Sequence, residues 1–157
     1  MIPASKQHKR TKPLSIIVIH STESDKASGT ISWFENPKNP TAAHYVVAQD
    51  GTQHTLCSVN QVLAHCKGYN EISCGIEMVG HASQSSWPDA QVSTVSFICA
   101  QILYALGLPA SADTIRMHSQ CGPDGHSLTG HTDPGAGFPY DKFIQDTAEL
   151  LASMVAS

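Results

Sequence analysis

A buried central strand is indicated by LSIIVI, which runs from Leu14 to Ile19. A continuous run of β-branched and other apolar residues is typical of a strand that is covered on both faces. The run ends at His20, so this histidine is expected at the edge of the sheet, where ligand-binding groups of α/β sheets collect. A histidine that only hydrogen-bonds at the end of a strand is the alternative interpretation.

The elements that follow alternate between strands and helices. Strand patterns occupy residues 42–48, 52–57, 72–79 and 114–117, and the dipeptide Asp50-Gly51 predicts a hairpin between the first two. Helical periodicity of apolar residues is found over 28–34, 90–106 and 139–155. The pattern predicts an α/β fold, with a mixed central β-sheet flanked by helices in a single domain.

The charge balance argues against a nucleic-acid-binding protein. Nine Lys and Arg residues face 13 Asp and Glu residues, for a net charge of −4, whereas binding to phosphates requires a clustered basic surface. The basic cluster of the chain lies near the N-terminus, at Lys6, Lys9, Arg10 and Lys12. We interpret residues 1–13 as a flexible basic arm rather than an interaction tail, with the folded domain spanning 14–157.

The sequence predicts neither membrane insertion nor export. No apolar run reaches the length of a membrane span, and the N-terminus lacks the apolar core of a signal peptide, so synthesis in the cytoplasm is expected. A monomer is expected. Five Cys without a CxxC pair exclude a fully paired disulfide framework, although Cys66 and Cys74 remain able to form a bridge. Cys99 lies in the apolar stripe of a helix and is expected in the core.

Potential metal ligands are concentrated in IRMHSQCGPDGHSLTGHTDPGAGFPYDK, from Ile115 to Lys142. Neutral imidazole, thiolate and carboxylate are the groups that zinc prefers, and a catalytic zinc uses three of them and leaves one position for water. Together with the strand-ending histidine, the candidates are His20, His118, Cys121, His126, His131 and Asp133. Spacing alone does not choose among these six.

An acidic residue stands inside an apolar strand, at Glu77 in ISCGIEMV. A buried carboxylate is costly unless it is paired, hydrogen-bonded or near a cation. Glu77 is therefore a candidate functional residue, and the alternative is a strand residue that faces solvent.

Several motifs together resemble a known family. They are VIHST at 18–22, AHYVVAQDG at 43–51, LAH at 63–65, SCGIEMVG at 73–80, and MHSQ at 117–120 followed by GHTDPGAGFPYDKF at 130–143. In this order they resemble the zinc-dependent N-acetylmuramoyl-L-alanine amidases of the amidase-2 group, which includes small phage lysozymes of the T7 type and the peptidoglycan recognition proteins. The resemblance covers about 14–143 and implies the fold of that group, with 14–157 as the catalytic domain.

The resemblance also implies a role for each candidate. His20, His118 and Asp133 match the ligands of one catalytic Zn²⁺, with Asp133 at a position where some members carry Cys. Glu77 matches the acidic residue that handles the proton of the attacking water, and His131 matches the residue that stabilises the tetrahedral intermediate. Cys121 and His126 are then bystanders.

Five further residues are candidate substrate contacts. His44 and His65 match positions that the family uses beside its cleft, with structural packing as the alternative for each. Trp33, Tyr69 and Asn70 could line a groove for glycan or peptide, although a Trp on a short helix is more often part of the core.

The expected activity is hydrolysis of the bond between N-acetylmuramic acid and L-alanine in peptidoglycan, whose glycan strand and stem peptide are the expected partners. The context that fits best is a phage or prophage endolysin that a holin releases to the cell wall. The alternatives are a cytosolic amidase that recycles muropeptides and a non-catalytic peptidoglycan-binding module. A domain in which zinc is only structural would show four protein ligands.

Overall fold

A computed structural model describes all of residues 1–157. Its helices are α1 (Ala27–Glu35), α2 (Asp89–Leu106) and α3 (Tyr140–Ala156). Its strands are β1 (His8–Lys9), β2 (Ile16–Ser21), β3 (Tyr45–Val47), β4 (Gln53–Thr55), β5 (Gln61–Val62), β6 (Ser73–Met78) and β7 (Ile115–Met117). Short 3-10 helices occupy Ala4–Lys6, Asn70–Ile72 and His118–Gln120.

The main sheet has five strands in the order β4-β3-β6-β2-β7. Strand β2 pairs in parallel with β6 and with β7, β3 pairs in parallel with β6, and the β3–β4 hairpin supplies the antiparallel edge. A separate two-stranded sheet joins β1 to β5. The predicted mixed sheet, its hairpin and the single-domain α/β fold are confirmed.

Strand β6 separates apolar from polar side chains because successive residues of a strand point to opposite faces. Cys74, Ile76 and Met78 lie in the main core beneath α2 and α3. Ser73, Gly75 and Glu77 therefore share the other face, which is also the face of His20, since Ile17 and Ile19 of β2 belong to the same core. One face of the sheet thus packs against the apolar core, and the other face presents the polar side chains of Ser73, Glu77 and His20.

Helix α2 is the main cover of the apolar face. Its buried residues pack against both the sheet and α3, and Gly107 ends it in the left-handed conformation, with φ of 65°. By length and composition α2 would also suffice to cross a membrane, with a mean hydropathy of 1.2. Its burial between the sheet and α3 accounts for that apolarity.

Some element boundaries differ from the sequence prediction. Strand β2 continues through His20 and Ser21, which are both buried, instead of ending before them. His44 directly precedes β3 rather than lying within it, and its ring nitrogens bind backbone groups of neighbouring segments. Asp89 is the first residue of α2 and makes no capping hydrogen bond.

The N-terminal segment lies against the domain. Ile2 is buried with Phe34 in a small core cluster, and β1 pairs with β5. Arg10 donates hydrogen bonds to the carbonyl oxygens of Val59, Gln61, Asn70, Glu71 and Ser73. The flexibility expected of residues 1–13 stays a prediction, but these contacts explain why the segment is not detached from the fold.

All five cysteines are buried and free. The bridge considered between Cys66 and Cys74 is not formed, because the two side chains belong to different core clusters on opposite faces of the sheet. Cys66 instead lies beside Cys121. Cys99 is in the main core, as the helical pattern indicated.

Candidate metal and catalytic site

Strand pairing brings the first two candidate ligands together. Ile19 of β2 is the partner of Met117 of β7, so His20 and His118, the next residues along, lie side by side. Their Nδ1 atoms are 3.0 Å apart. The parallel strands therefore present two imidazoles at one end of the sheet, from residues that are 98 positions apart in the chain.

Asp133 completes the cluster from the loop that precedes α3. Its carboxylate oxygens lie 3.4 Å from Nδ1 of His20 and 3.2 Å from Nδ1 of His118. The backbone N–H of Ser21 donates to Oδ2, and the carbonyl oxygen of Asp133 accepts from the N–H of Ser119. The loop is thus tied at this residue both to β2 and to the turn that begins with His118.

The protonation of the cluster suits a cation. Burial lowers the pKa of His20 below its ordinary value, which favours the neutral ring with a free lone pair. Burial alone would raise the pKa of Asp133, but a hydrogen bond from His118 and the nearby ring of His20 outweigh it and hold that pKa below its usual range. Two imidazoles and one carboxylate are thus gathered with their ligand atoms within 4.8 Å of one another. Three such donors are the set that a catalytic zinc uses, so the residues fit this metal.

Glu77 lies next to the cluster on the same face of the sheet. It is the register partner of His20 on β2 and of Val46 on β3. Its Oε2 atom is buried and has no hydrogen-bond partner. Burial, followed by the negative charges of Asp133 and Glu23, raises the pKa of Glu77 well above its ordinary value. A carboxyl group in this state readily holds a proton and is suited to exchange one with a bound substrate or water.

His131 lies on the solvent side of the cluster. Its ring stacks on that of His118 at a centroid distance of 4.0 Å, and 51 % of its side chain is exposed. Its Nδ1 atom is 3.6 Å from Oδ1 of Asp133, beyond hydrogen-bonding distance. His131 is thus beside the three clustered residues, but it is not one of them.

The two other candidate ligands are outside the cluster. Cys121 is buried, and its thiol donates to the carbonyl oxygen of Met117. His126 is exposed in the loop between 122 and 130. The bystander role that the resemblance implies for both residues stays a prediction.

An open cleft of about 480 Å³ exposes the cluster to solvent. The ionisable side chains that line its centre are those of His20, His118, His131, Asp133, Glu77 and Glu23. Its walls include Phe34, Thr41, Ala42, His65 and Ala82. Three candidate metal ligands, a buried carboxyl group and an exposed imidazole therefore converge on one accessible space.

The candidate substrate contacts differ in whether they reach the cleft. His44 is fully buried, and it accepts a hydrogen bond from the N–H of Gly75 through Nδ1 and donates to the carbonyl oxygen of Gln61 through Nε2. Burial lowers the pKa of His44 to about 4, so its ring is neutral. His44 is placed behind the cleft wall, where it links β6 to the segment at β5.

Trp33 is exposed rather than part of the core, with 53 % of its surface accessible. Its Nε1–H donates to Oγ1 of Thr41. The two side chains line a groove of about 360 Å³ that extends from Glu77 along α1. The other end of the cleft continues past His65 to Asn70.

Asn70 and Tyr69 support the loop around His65. The Oδ1 atom of Asn70 accepts hydrogen bonds from the N–H groups of His65 and Cys66. The guanidinium of Arg116 lies over the Tyr69 ring, 5.6 Å from its centroid. Asn70 therefore holds the backbone of the loop at His65, and Tyr69 packs against Arg116.

Sequence reasoning missed Glu23, a third carboxylate in the cleft beside Glu77 and Asp133. Its Oε1 atom accepts hydrogen bonds from Oγ of Ser21 and from the N–H of Ala82, at 2.5 and 2.9 Å. Glu23 is also the one non-glycine residue with positive φ, at 52°, a conformation that tertiary contacts must hold in place. Glu23 joins the end of β2 to the loop after β6. In the sequence, its position two residues after a buried strand could have marked it as a candidate site residue.

Comparison with known proteins gives one consistent answer. A family model described as N-acetylmuramoyl-L-alanine amidase matches residues 10–136. N-acetylmuramoyl-L-alanine amidase A of Achromobacter lyticus is 27 % identical over 161 residues, which are 90 % of this chain and 88 % of that protein.

Two solved structures show the same fold. The Ph2119 endolysin of the Thermus scotoductus MAT2119 bacteriophage Ph2119 has a TM-score of 0.70 and 18 % identity, over 92 % of this chain and 91 % of the endolysin. The amidase AmiD of E. coli, solved with the substrate anhydro-N-acetylmuramic acid-L-Ala-D-gamma-Glu-L-Lys, has the same TM-score and identity, over 84 % of this chain and 56 % of AmiD.

Proposed function

Because the chain belongs to the N-acetylmuramoyl-L-alanine amidase family, we propose that it hydrolyses the amide bond between N-acetylmuramic acid and L-alanine in peptidoglycan. The observation that carries this proposal is the meeting of His20, His118 and Asp133 beside the buried carboxyl group of Glu77, in one open cleft. Amide hydrolysis needs an electrophile-activating centre, a base for water and an acid for the departing amine. The three clustered side chains can hold the metal that activates the electrophile, and Glu77 can serve first as the base and then as the acid.

The metal proposed for the cluster is a single Zn²⁺ held by His20, His118 and Asp133. When bound, zinc supplies a Lewis acid for the scissile carbonyl and lowers the pKa of a water molecule toward neutrality. The chain contributes the three donors and fixes them on two paired strands and a tied loop.

Glu77 is proposed as the residue that moves the proton. Its raised pKa and the unpartnered Oε2 atom allow it to accept a proton from the attacking water and to return it to the nitrogen of L-alanine. The O–H bond of water breaks in the first step and an N–H bond forms in the second, so Glu77 ends in its starting state.

His131 is proposed as the donor to the oxygen that becomes negative when the carbonyl is attacked. Its ring is held against His118 by stacking while half of it stays exposed to the cleft. A fixed donor near the developing charge stabilises the transition state more than the ground state.

We expect His131→Ala to lower kcat by about 100-fold, the usual loss when one oxyanion donor is removed, and to leave zinc content unchanged. Steady-state kinetics and metal analysis measure the two effects. His126→Ala is the matched control, because this histidine is exposed and lies outside the three clustered residues, so the variant should keep full activity. Undiminished kcat in His131→Ala would exclude this role.

The substrate is proposed to lie across the cleft. Trp33 and Thr41 flank the groove on the side of Glu77, where an exposed indole offers a face for stacking on a sugar ring. His65 and Asn70 line the other side, toward which the stem peptide would run. Tyr69 does not line it and packs against Arg116 instead. His44 lies behind the wall and is assigned no substrate contact.

Two biological contexts are compatible with this chemistry. An endolysin that reaches the cell wall after release by a holin is the one proposed, in keeping with the phage endolysin of the same fold. A recycling enzyme for soluble anhydro-muropeptides is the second candidate, favoured by the substrate that AmiD was solved with.

Mass spectrometry of purified sacculi digested with the protein tests the activity. The expected products are free stem peptides with a new L-alanine amino terminus and glycan strands that are otherwise intact. Cleavage within the glycan or the peptide would contradict the proposal, as would binding without cleavage, which is the behaviour of a peptidoglycan-binding module. Faster turnover of soluble anhydro fragments than of sacculi would favour the recycling context.

A further inference from the structure

We propose that His65 and Ser73 are positioning residues that hold the ring proton of His20 on Nε2 and direct its Nδ1 lone pair at the metal position. This inference rests on the proposed function, because it concerns the same metal. In this proposal His65 orients His20 instead of contacting substrate, and Ser73 orients His65.

His20, His65 and Ser73 form a continuous chain of hydrogen bonds that leads away from the candidate metal ligands. Nε2 of His20 is 3.0 Å from Nδ1 of His65. Nε2 of His65 is 3.2 Å from Oγ of Ser73, and this hydroxyl group donates to the carbonyl oxygen of Tyr69 at 2.7 Å. We call this set His20-His65-Ser73 the relay.

The direction of every hydrogen bond in the relay follows from its last member. A carbonyl oxygen only accepts, so the single proton of the Ser73 hydroxyl group points to Tyr69. Ser73 must then accept from Nε2–H of His65, which leaves Nδ1 of that neutral ring without a proton. His65 therefore accepts from Nε2–H of His20, and Nδ1 of His20 is left as a free lone pair.

The free nitrogen is the one that faces the cluster. Nδ1 of His20 is the atom that lies 3.0 Å from Nδ1 of His118 and 3.4 Å from the carboxylate of Asp133. The relay thus selects the tautomer that a metal requires before any metal is bound. A second hydrogen bond of this kind also fixes the orientation of a ligating ring and increases its basicity.

Packing holds His65 in this position. A Cβ atom at Gly75 would lie only 2.7 Å from Nδ1 of His65, so the ring rests directly on the bare backbone of β6. Asn70 accepts the N–H of His65 from the other side. Ser73 is fully buried and lies on the same face of β6 as Gly75. A substrate contact is a poorer explanation of His65, since both of its ring nitrogens already have partners.

The first experiment reads the tautomers in the unaltered, metal-free protein. Long-range ¹H–¹⁵N correlation spectra are recorded at mildly alkaline pH, where histidines are neutral. The expected result is a proton on Nε2 of both His20 and His65. A proton on Nδ1 of His65 would reverse the hydrogen bonds and overturn the proposal, whether or not the protein binds zinc.

The second experiment measures zinc affinity by competition with a chromogenic chelator. We expect His65→Phe, which keeps the ring volume but has no nitrogen, to weaken binding by about 10- to 100-fold, and Ser73→Ala to weaken it by several fold. Ser96→Ala is the matched control, because its hydroxyl group bonds Thr147 at 2.8 Å in a buried contact between α2 and α3. This control should bind zinc as the unaltered protein does.

The outcomes separate the two proposals. Zinc binding by the unaltered protein that is equally tight in His65→Phe and Ser73→Ala would overturn the relay and leave the amidase function intact. Absence of zinc binding in the unaltered protein would overturn the proposed metal site, while the metal-free spectra still decide the relay. If His65→Phe does not fold, Ser73→Ala and the spectra decide the outcome.

Discussion

Glu77→Gln is expected to lower kcat for peptidoglycan hydrolysis by about 10²- to 10⁴-fold, the range for loss of a general acid–base. The amide keeps the size of the side chain but cannot take up the proton of water. Zinc content and the far-ultraviolet circular dichroism spectrum should match those of the unaltered protein, because Glu77 is not one of the clustered ligands. Undiminished hydrolysis by Glu77→Gln would contradict the assignment of the base.

The same substitution should stabilise the metal-free fold. Because burial raises the pKa of Glu77, the folded state binds a proton that the unfolded chain has already released, so stability falls as pH rises from the ordinary pKa of about 4.3 toward the raised one. Gln does not ionise and escapes this loss. The Tm of Glu77→Gln should therefore exceed that of the unaltered protein near neutral pH, and the difference should disappear in acid. A lower kcat together with a higher Tm in Glu77→Gln would indicate a catalytic carboxylate, whereas a lower Tm would indicate a structural one.

His118→Ala is expected to abolish both zinc binding and hydrolysis. Only His20 and Asp133 would remain, and two donors do not form the three-ligand site of a catalytic zinc. Added zinc should raise the Tm of the unaltered protein, since a ligand of the folded state stabilises it, and should leave the Tm of His118→Ala unchanged. Atomic absorption and thermal melts measure these effects.

Cys121→Ser is the control for the choice among candidate ligands. The thiol is directed at the carbonyl oxygen of Met117, a contact that a hydroxyl group can also make. We expect full zinc content and activity from this variant. Loss of zinc from Cys121→Ser, with zinc retained by His118→Ala, would mean that the wrong residues had been chosen from the ligand-rich segment.

The order of strands and helices could be predicted from local patterns. The β-branched run before His20, the Asp50-Gly51 turn and the apolar stripe closed by Gly107 each reflect interactions between residues close in the chain. The ligands were harder to predict, because spacing alone left six candidates and only the combination of motifs reduced them to three. The structure adds the physical reason, which is the pairing of β2 with β7.

Contacts between distant segments were beyond a reading of local patterns. His65 lies 45 positions from His20, and nothing in LAH indicates that its ring lies behind the cluster of His20, His118 and Asp133. The alternation of β6 did contain a signal, because Gly inside a strand often marks a close approach of another group. Gly75 stands between Ser73 and Glu77 on one face, and His65 fills the space that a side chain would need.

The exposure of Trp33 and the attachment of the N-terminal segment were also not predictable. Trp33 lies on a helix too short for its periodicity to separate an inner from an outer face. The polar composition of residues 1–13 suggested an arm, but composition does not show that one guanidinium, that of Arg10, would find carbonyl oxygens in the loops around β5 and β6.

The alternation of β6 limits how this protein can change length. A one-residue deletion or insertion within the strand would exchange its two faces, sending Glu77 into the core and an apolar side chain into the cleft. The tip of the loop at 122–130, formed by 123–126, has no such constraint, because it is exposed. Length variation among descendants of this chain should therefore accumulate at that tip, which is also the best place to insert an added peptide.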